Sequence, residues 1–197
     1  KLGEETTRAD KLPNPSPPSA PELGLAVYLR FAAPESVAGR EVIWSDGQNG
    51  GKLIAHEVGF KKLLGRIQLD PGGRLAMMGQ KYPLTEIGLI RMCEKLIEKG
   101  EQRERLENAK IAIIDGQLVG DRECQLIQVM NPVDDGKAEF YIAQIFIDTE
   151  RQIPLRYAAY MWPDDSSEKA KLEEEYTYLN VRLNVGLTEA DFDPDNP

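Results

Sequence analysis

The chain has 197 residues, 41% hydrophobic and 29% charged, with a formal charge of −9. That is enough for one domain with a sizeable core, and an acidic chain lacks the clustered Lys and Arg that nucleic acid or an anionic membrane surface selects. No apolar run approaches the roughly 20 residues of a bilayer span, and Cys93 and Cys124 make neither a disulfide scaffold nor a Cys-x-x-Cys motif, though one bridge between them stays open.

Residues 1–23 are polar and proline-rich, with Pro13, Pro15, Pro17, Pro18 and Pro21 close together. Proline has no amide proton for a ladder, so this stretch reads as a linker, with room for a short strand at 1–6. It shows no signal-peptide pattern. A period of two then begins, with Leu25, Val27, Leu29 and Phe31 on one face of "LAVYLRF". "REVIWSDG" and "GKLIAHE" follow across a Gly- and Asn-rich turn, "FKKLLGRIQLD" ends at Asp70-Pro71-Gly72-Gly73, and "RLAMMG" is a further short apolar run.

Residues 83–99 change to a helical period, with Pro83 suited to the first turn and Gly100 to the residue after the last. Ile87, Ile90, Cys93 or Glu94, and Ile97 form the expected stripe, with Leu89, Cys93 and Leu96 beside it. Strands resume at "NAKIAIIDGQLVG", where Asp115-Gly116 suits a tight turn. "ECQLIQVMNP", "EFYIAQIFID", "IPLRYAAYMW" and "EEYTYLNVRLNV" complete a meander, and Leu179, Val181, Leu183 and Val185 alternate with polar residues in the last run. No strand–helix–strand alternation occurs, so the expected class is α+β, mainly antiparallel: a curved sheet of about nine to eleven strands with one main helix in its concave face. Residues 24–197 are expected to form a single domain.

Catalytic patterns are sparse. His56 is the only histidine, and Phe60 stands where a metalloprotease helix needs a second one. "DGQNGGKL" is one residue short of a phosphate loop, with Leu53 where a hydroxyl should hold magnesium, and reads better as a hairpin turn. Asp191, Asp193 and Asp195 match the first ligand positions of a calcium loop, but Asn196 replaces its glycine and no bidentate Glu follows. The Glu173–Glu175 run reads as a solvated edge. No metal or cofactor is expected.

"VYLRFAAPESVAGREVIW", "GKLIAHE", "LDPGGRLAMMGQKYPLTEIGL", "IFIDTERQIPLRYAAYMWP" and "EEYTYLNVRLNVGLTEADFDP" closely resemble a bacterial family of unknown function, DUF family 1571, over residues 25–197. That family is similar in layout to the LolA/LolB-type outer-membrane lipoprotein carriers and receptors. The shared points are Ser45-Asp46-Gly47 after an early strand, and Asp148, Pro154 and Tyr176 late in the chain. The resemblance implies a half-open barrel with a helical plug, a hydrophobic cavity, and residence in the periplasm or cell envelope. It also implies a helix and further strands ahead of "YLRF", where this sequence has "KLGEET" and the prolines. For the carriers' mobile arginine, Arg30, Arg40 and Arg156 are all candidates.

Three functions follow. The first is non-enzymatic binding of a lipophile or lipoprotein acyl chain, lined by Leu29, Phe31, Ile43, Leu53, Met77, Ile87, Ile90, Ile145, Leu155 and Tyr157. The same residues also fit a filled core, which leaves an envelope interaction module that meets another protein. The third is a hydrolase using His56 with Glu57 or a nearby carboxylate, but no nucleophile, base and orienting group can be named together, so no enzyme is expected. Separately, Arg40, Glu41, Arg156 and Glu175 lie on strands and could form buried ion pairs kept for gating or specificity.

Overall fold

The computed structural model describes residues 24–59, 65–102, 107–134, 136–165 and 169–195. The expected linker at 1–23 lies outside them. The chain divides into two compact units, Lys1–Asp70 and Pro71–Pro197. Every pair among the described strands is antiparallel. The fold is therefore α+β and mainly β, but the described strands form two sheets, of four and five strands, instead of one.

The first unit holds β1 (Ala26–Arg30), β2 (Glu41–Ser45), β3 (Leu53–His56) and β4 (Arg66–Leu69), in that spatial order. Cross-strand pairing lines up Leu29, Val42, Ala55 and Ile67 in one row, with Val27 opposite Trp44 and Leu53 opposite Leu69 on the same face. Val42, Trp44, Leu53 and Ala55 are buried, and each full aliphatic side chain there contributes about 1.5–3 kcal/mol. The neighbouring row, on the opposite face, is Arg30, Glu41, His56 and Arg66. Glu41 accepts a hydrogen bond from the Tyr28 hydroxyl at 2.8 Å and lies 4.0 Å from Arg30 and 3.8 Å from His56 Nδ1.

The second unit holds α1 (Leu89–Glu101) and strands β5 (Lys110–Val119), β6 (Arg122–Met130), β7 (Ile142–Asp148), β8 (Pro154–Met161) and β9 (Lys171–Thr177). On one face run two rows across all five strands: Ile113, Ile127, Ile145, Tyr157, Tyr176 and Ile111, Val129, Ala143, Ala159, Glu174. Met92 and Leu96, one helical turn apart, pack against Ala143, Tyr157 and Ala159. The two alanines leave room for the helical side chains. A second cluster contains Val119, Cys124, Leu126, Phe146 and Leu155, with Ile153, Tyr178 and Val181 packed against it.

Arg122 and Asp148 tie β6 to β7. The Asp148 carboxylate, wholly inaccessible to solvent, accepts Nε of Arg122 at 2.8 Å and Nη2 at 3.0 Å. It also accepts the backbone N–H groups of Glu150 and Arg151, both at 2.9 Å. The Arg122 guanidinium, and secondarily these amides, hold the Asp148 carboxyl well below the usual carboxylate range despite burial.

Several local expectations change. "RLAMMG" is a run of turns in which Met77 N–H bonds the Gly73 carbonyl. Helix α1 starts at Leu89 because Gly88, at φ 111°, separates it from a 3-10 turn at Leu84–Glu86. That resets the helical phase: Met92 and Leu96 face the sheet, whereas Ile90 and Ile97 are 66% and 62% exposed. Gly100 falls inside the helix. Asp115-Gly116 sits within β5 as an irregularity between Ile114 and Gln117, and the hairpin turns instead at Gly120-Asp121. Gly120 has φ 60°, and a Cβ there would stand 3.3 Å from Leu179 Cδ2, so the position favours glycine. Strand pairing ends at Thr177 and does not continue through 185, since Asn180 and Asn184 adopt φ near 54° and 53°. Asparagine tolerates that left-handed conformation, which breaks alternation.

Candidate functional site

A cavity of about 180 Å³ lies in the second unit between α1 and the β8–β9 side of the sheet. The 3-10 turn and helix contribute Ile87, Met92 and Leu96. Two strands and the segment after them contribute Tyr157, Tyr176 and Tyr178, and Tyr82 closes the ring. Tyr157 and Tyr176 meet because they are direct cross-strand partners, and Tyr178 follows two residues on.

Charges at the rim are matched. Glu174 accepts the Tyr82 hydroxyl at 3.1 Å and the Tyr176 hydroxyl at 3.4 Å, and lies 3.2 Å from Lys81 Nζ. Lys81 also donates to Glu173 at 2.8 Å. Lys95 pairs with Glu86 while its ammonium stands 4.3 Å over the Tyr82 ring, and Lys99 pairs with Glu139. The Glu173–Glu175 run is therefore partnered throughout, because Glu175 takes a two-pronged bond from Arg156 at 3.1 Å to each oxygen.

One polar atom in this wall has no partner. Tyr157 is 6% exposed, and its buried hydroxyl makes no hydrogen bond. Burial, then the Glu174 charge, pushes the Tyr157 phenol well above its ordinary range and that of Tyr176 up to about 12. Every phenol of the ring is raised by burial first, so all stay neutral at physiological pH.

Of the residues expected to line a ligand, Ile87 and Tyr157 do line this cavity, and Ile145 packs beside Tyr157. Leu155 packs with Cys124 and Phe146 instead. The ladder slips by one residue between Phe146 and Ile147, so Leu155 and Tyr157 no longer share a continuous alternation. Ile90 is exposed, and Met77 lies in the turns after Pro71. Leu29, Phe31, Ile43 and Leu53 belong to the first unit, where Leu53 is buried beside Trp44 and the Arg40 guanidinium lies 5.9 Å over Phe31. The proposed ionic group resolves into separate pairs: Arg40 with Glu57 at 2.9 Å, Arg156 with Glu175, and Glu41 with Tyr28, Arg30 and His56.

The tail carboxylates serve the backbone. Asp191 closes a capping box with Thr188 at the 3-10 turn Glu189–Phe192, and Asp193 accepts the Asp195 amide at 2.8 Å. Among the described residues no group of three His, Cys, Asp or Glu could hold a metal ion. The lining residues that sequence reasoning did not assign to a site include Tyr82, Met92, Lys95, Tyr176 and Tyr178. The spacing Tyr176-x-Tyr178 was the available signal, with one ring on the last strand and the other just past its end.

The family of proteins of unknown function (DUF1571) matches residues 19–197. No curated protein matches. Among solved structures, a chain from the structure of the CwlD amidase from Clostridioides difficile in complex with the GerS lipoprotein is similar with a TM-score of 0.34 and 10% identity, over 80% of this chain and 68% of that chain. That likeness is too distant to bear on function. The protein belongs to the DUF1571 family.

Proposed function

We propose that this DUF1571 protein is a non-enzymatic binding protein of the periplasm or cell envelope, holding an apolar group in the cavity beneath α1. The supporting observation is the cavity itself: about 180 Å³ walled by Ile87, Met92, Leu96 and four tyrosine rings, together with the paired charges of Glu86, Lys95, Lys99 and Glu174. At roughly 30 Å³ per small group it has room for about six heavy atoms. Burying that many methylenes contributes ~5 kcal/mol before ordering costs. A full acyl chain would thus leave most of its length outside this cavity. The LolA/LolB-like half-open barrel is part of the same proposal, supported by all-antiparallel pairing and by a helix on one face of the five-stranded sheet. Envelope residence rests on the sequence resemblance; no described helix is long and apolar enough to cross a membrane.

His56 lies in the first unit, with its Nδ1 3.8 Å from Glu41, and is not among the residues that line the cavity. Replacing it by Ala should leave cellular function intact. The binding test is solvent extraction of purified protein followed by mass spectrometry, with uptake of a fluorescent fatty acid alongside. Recovery of a lipophile or saturable uptake is expected. Protein free of ligand that also takes up no apolar probe overturns the reading.

A second reading, an envelope interaction module, has its own observation. Ile111, Ile113 and Leu118 on β5, an edge strand, are 60%, 62% and 70% exposed. Crosslinking in envelope extracts should then recover one partner, and Ile111→Asp with Ile113→Asp should abolish it.

A further inference from the structure

We propose that Tyr82 gates the cavity beneath α1: its ring bridges the helix and strand β9 across the entrance, and a guest passes when Lys81 and Tyr82 release Glu173 and Glu174. This rests on the binding reading above and adds the control of entry to that same site.

Exposure locates the entrance. Tyr157 is buried, so it belongs to the closed end of the cavity. Glu86 and Tyr176 line the same cavity and are exposed, and Lys95 is half-exposed, so the cavity opens on their side. Tyr82 touches both banks of that opening. From the helix, the Lys95 ammonium stands 4.3 Å over its ring. From the strand come the Tyr176 ring, 6.4 Å away and tilted by 50°, and the Glu174 carboxylate, which accepts the Tyr82 hydroxyl at 3.1 Å. A ring in contact with both sides narrows the passage between them.

The segment that carries Tyr82 is held mainly by side chains. Ahead of it, Gly79 at φ 77° supplies a pivot; after it, the buried Leu84 pins the 3-10 turn. Among the described residues no backbone–backbone hydrogen bond joins Lys81 or Tyr82 to another segment. Lys81 instead donates to Glu173 at 2.8 Å and lies 3.2 Å from Glu174. Lys81 and Glu173 are exposed, and such pairs contribute little in water and less in salt. The latch is thus weak enough to open repeatedly while the helix and sheet stay packed. Lys81 is absent from the cavity lining, so it can be changed without reshaping the space a guest occupies.

The test uses the full chain with fluorobenzene, a small neutral probe whose fluorine-19 resonance reports the dissociation constant and the exchange rates together. A neutral probe is not steered by charge, so a salt effect on its entry rate reports the protein. Lys81→Met should raise the association and dissociation rates together, each by about fivefold, the worth of one exposed ion pair expressed as a rate ratio. Raising salt from about 0.1 M to about 1 M, which shortens the screening length from about 10 Å to about 3 Å, should speed entry into wild type and have little effect on entry into the variant. Tyr82→Ala, which removes the ring itself, should admit the probe at least as fast as Lys81→Met at either salt. Equal association rates in wild type and Lys81→Met, or a change in dissociation rate alone, overturns the gate while leaving the binding reading intact. If neither wild type nor any variant takes up the probe, the binding reading itself fails. Ile87→Trp, which fills the cavity from its wall, should abolish uptake; undiminished uptake would place the probe elsewhere and overturn the assignment.

Discussion

The two sheets follow the same alternation and reach different ends. In the four-stranded sheet the row Arg30, Glu41, His56, Arg66 is polar across every strand, and the next row of the same face carries Tyr28, Ile43 and the buried Ile54. In the five-stranded sheet apolar side chains occur on both faces, and each requires a cover. Helix α1 covers one through Met92 and Leu96, while Tyr178 and Val181 after β9 pack against the other cluster. The lesson is that a cavity arises where a cover is narrower than the face beneath it. A single helix with two alanines under it cannot fill the space beside the row of tyrosines.

Mutations can break or sharpen this contrast. The largest effect is expected from Asp148→Ala, which leaves Arg122 without its buried partner and should destabilise the second unit by ~3 kcal/mol. Trp162, whose indole donates to the Asn131 carbonyl, reports that unit; Trp44, bonded to the Gly51 carbonyl, reports the first. Urea melts of Trp44→Phe and Trp162→Phe backgrounds read each unit alone. A shift seen by Trp162 only means the units unfold separately, and an equal shift means they are one cooperative body. The same pair predicts acid sensitivity. Because the folded Asp148 carboxyl is depressed, its stabilisation is complete above the unfolded value of about 4 and is lost as pH falls below it. Asp148→Asn should flatten that acid limb.

Next in size is Leu96→Ala, which thins the helix cover and should cost ~2 kcal/mol, measured by the urea midpoint of Trp162. Tyr157→Phe should be neutral or stabilising by up to ~1 kcal/mol without ligand, since it removes an unsatisfied hydroxyl. A clear loss of stability would mean that the hydroxyl has a partner in the unliganded protein. The smallest effect is expected from Glu41→Gln in the exposed row of the first sheet, within ~0.5 kcal/mol by thermal melt, because ion pairs in water contribute little.

Much of the fold was legible in the sequence. A period of two located β1, β2, β3 and β6 to β8 within a few residues, and the absence of strand–helix–strand spacing excluded a parallel sheet. What failed were places where one residue resets the phase. Gly88 restarted the helix, and the slip near Ile147 parted Leu155 from Tyr157. Two left-handed asparagines ended pairing where Leu179 to Val185 still alternate. The cavity was half legible: alternation gave Tyr157 its face, and Ile87 fell in the helical window. Its remaining wall was hidden because Tyr82 joins from a turn far away in sequence, and because a void depends on what fails to fill it.

The irregularity at Asp115-Gly116 has a consequence for the protein in concentrated solution. Among the described strands β5 ends the five-stranded sheet, so its outward backbone amides and carbonyls could template another chain. The bulge divides that row into two short runs, Lys110–Ile114 and Gln117–Val119, and adds twist between them. A second copy laid alongside falls out of step after Ile114, too soon for a stable filament to grow. Two residues with no place in the core thus work against in-register pairing of a greasy border with another copy.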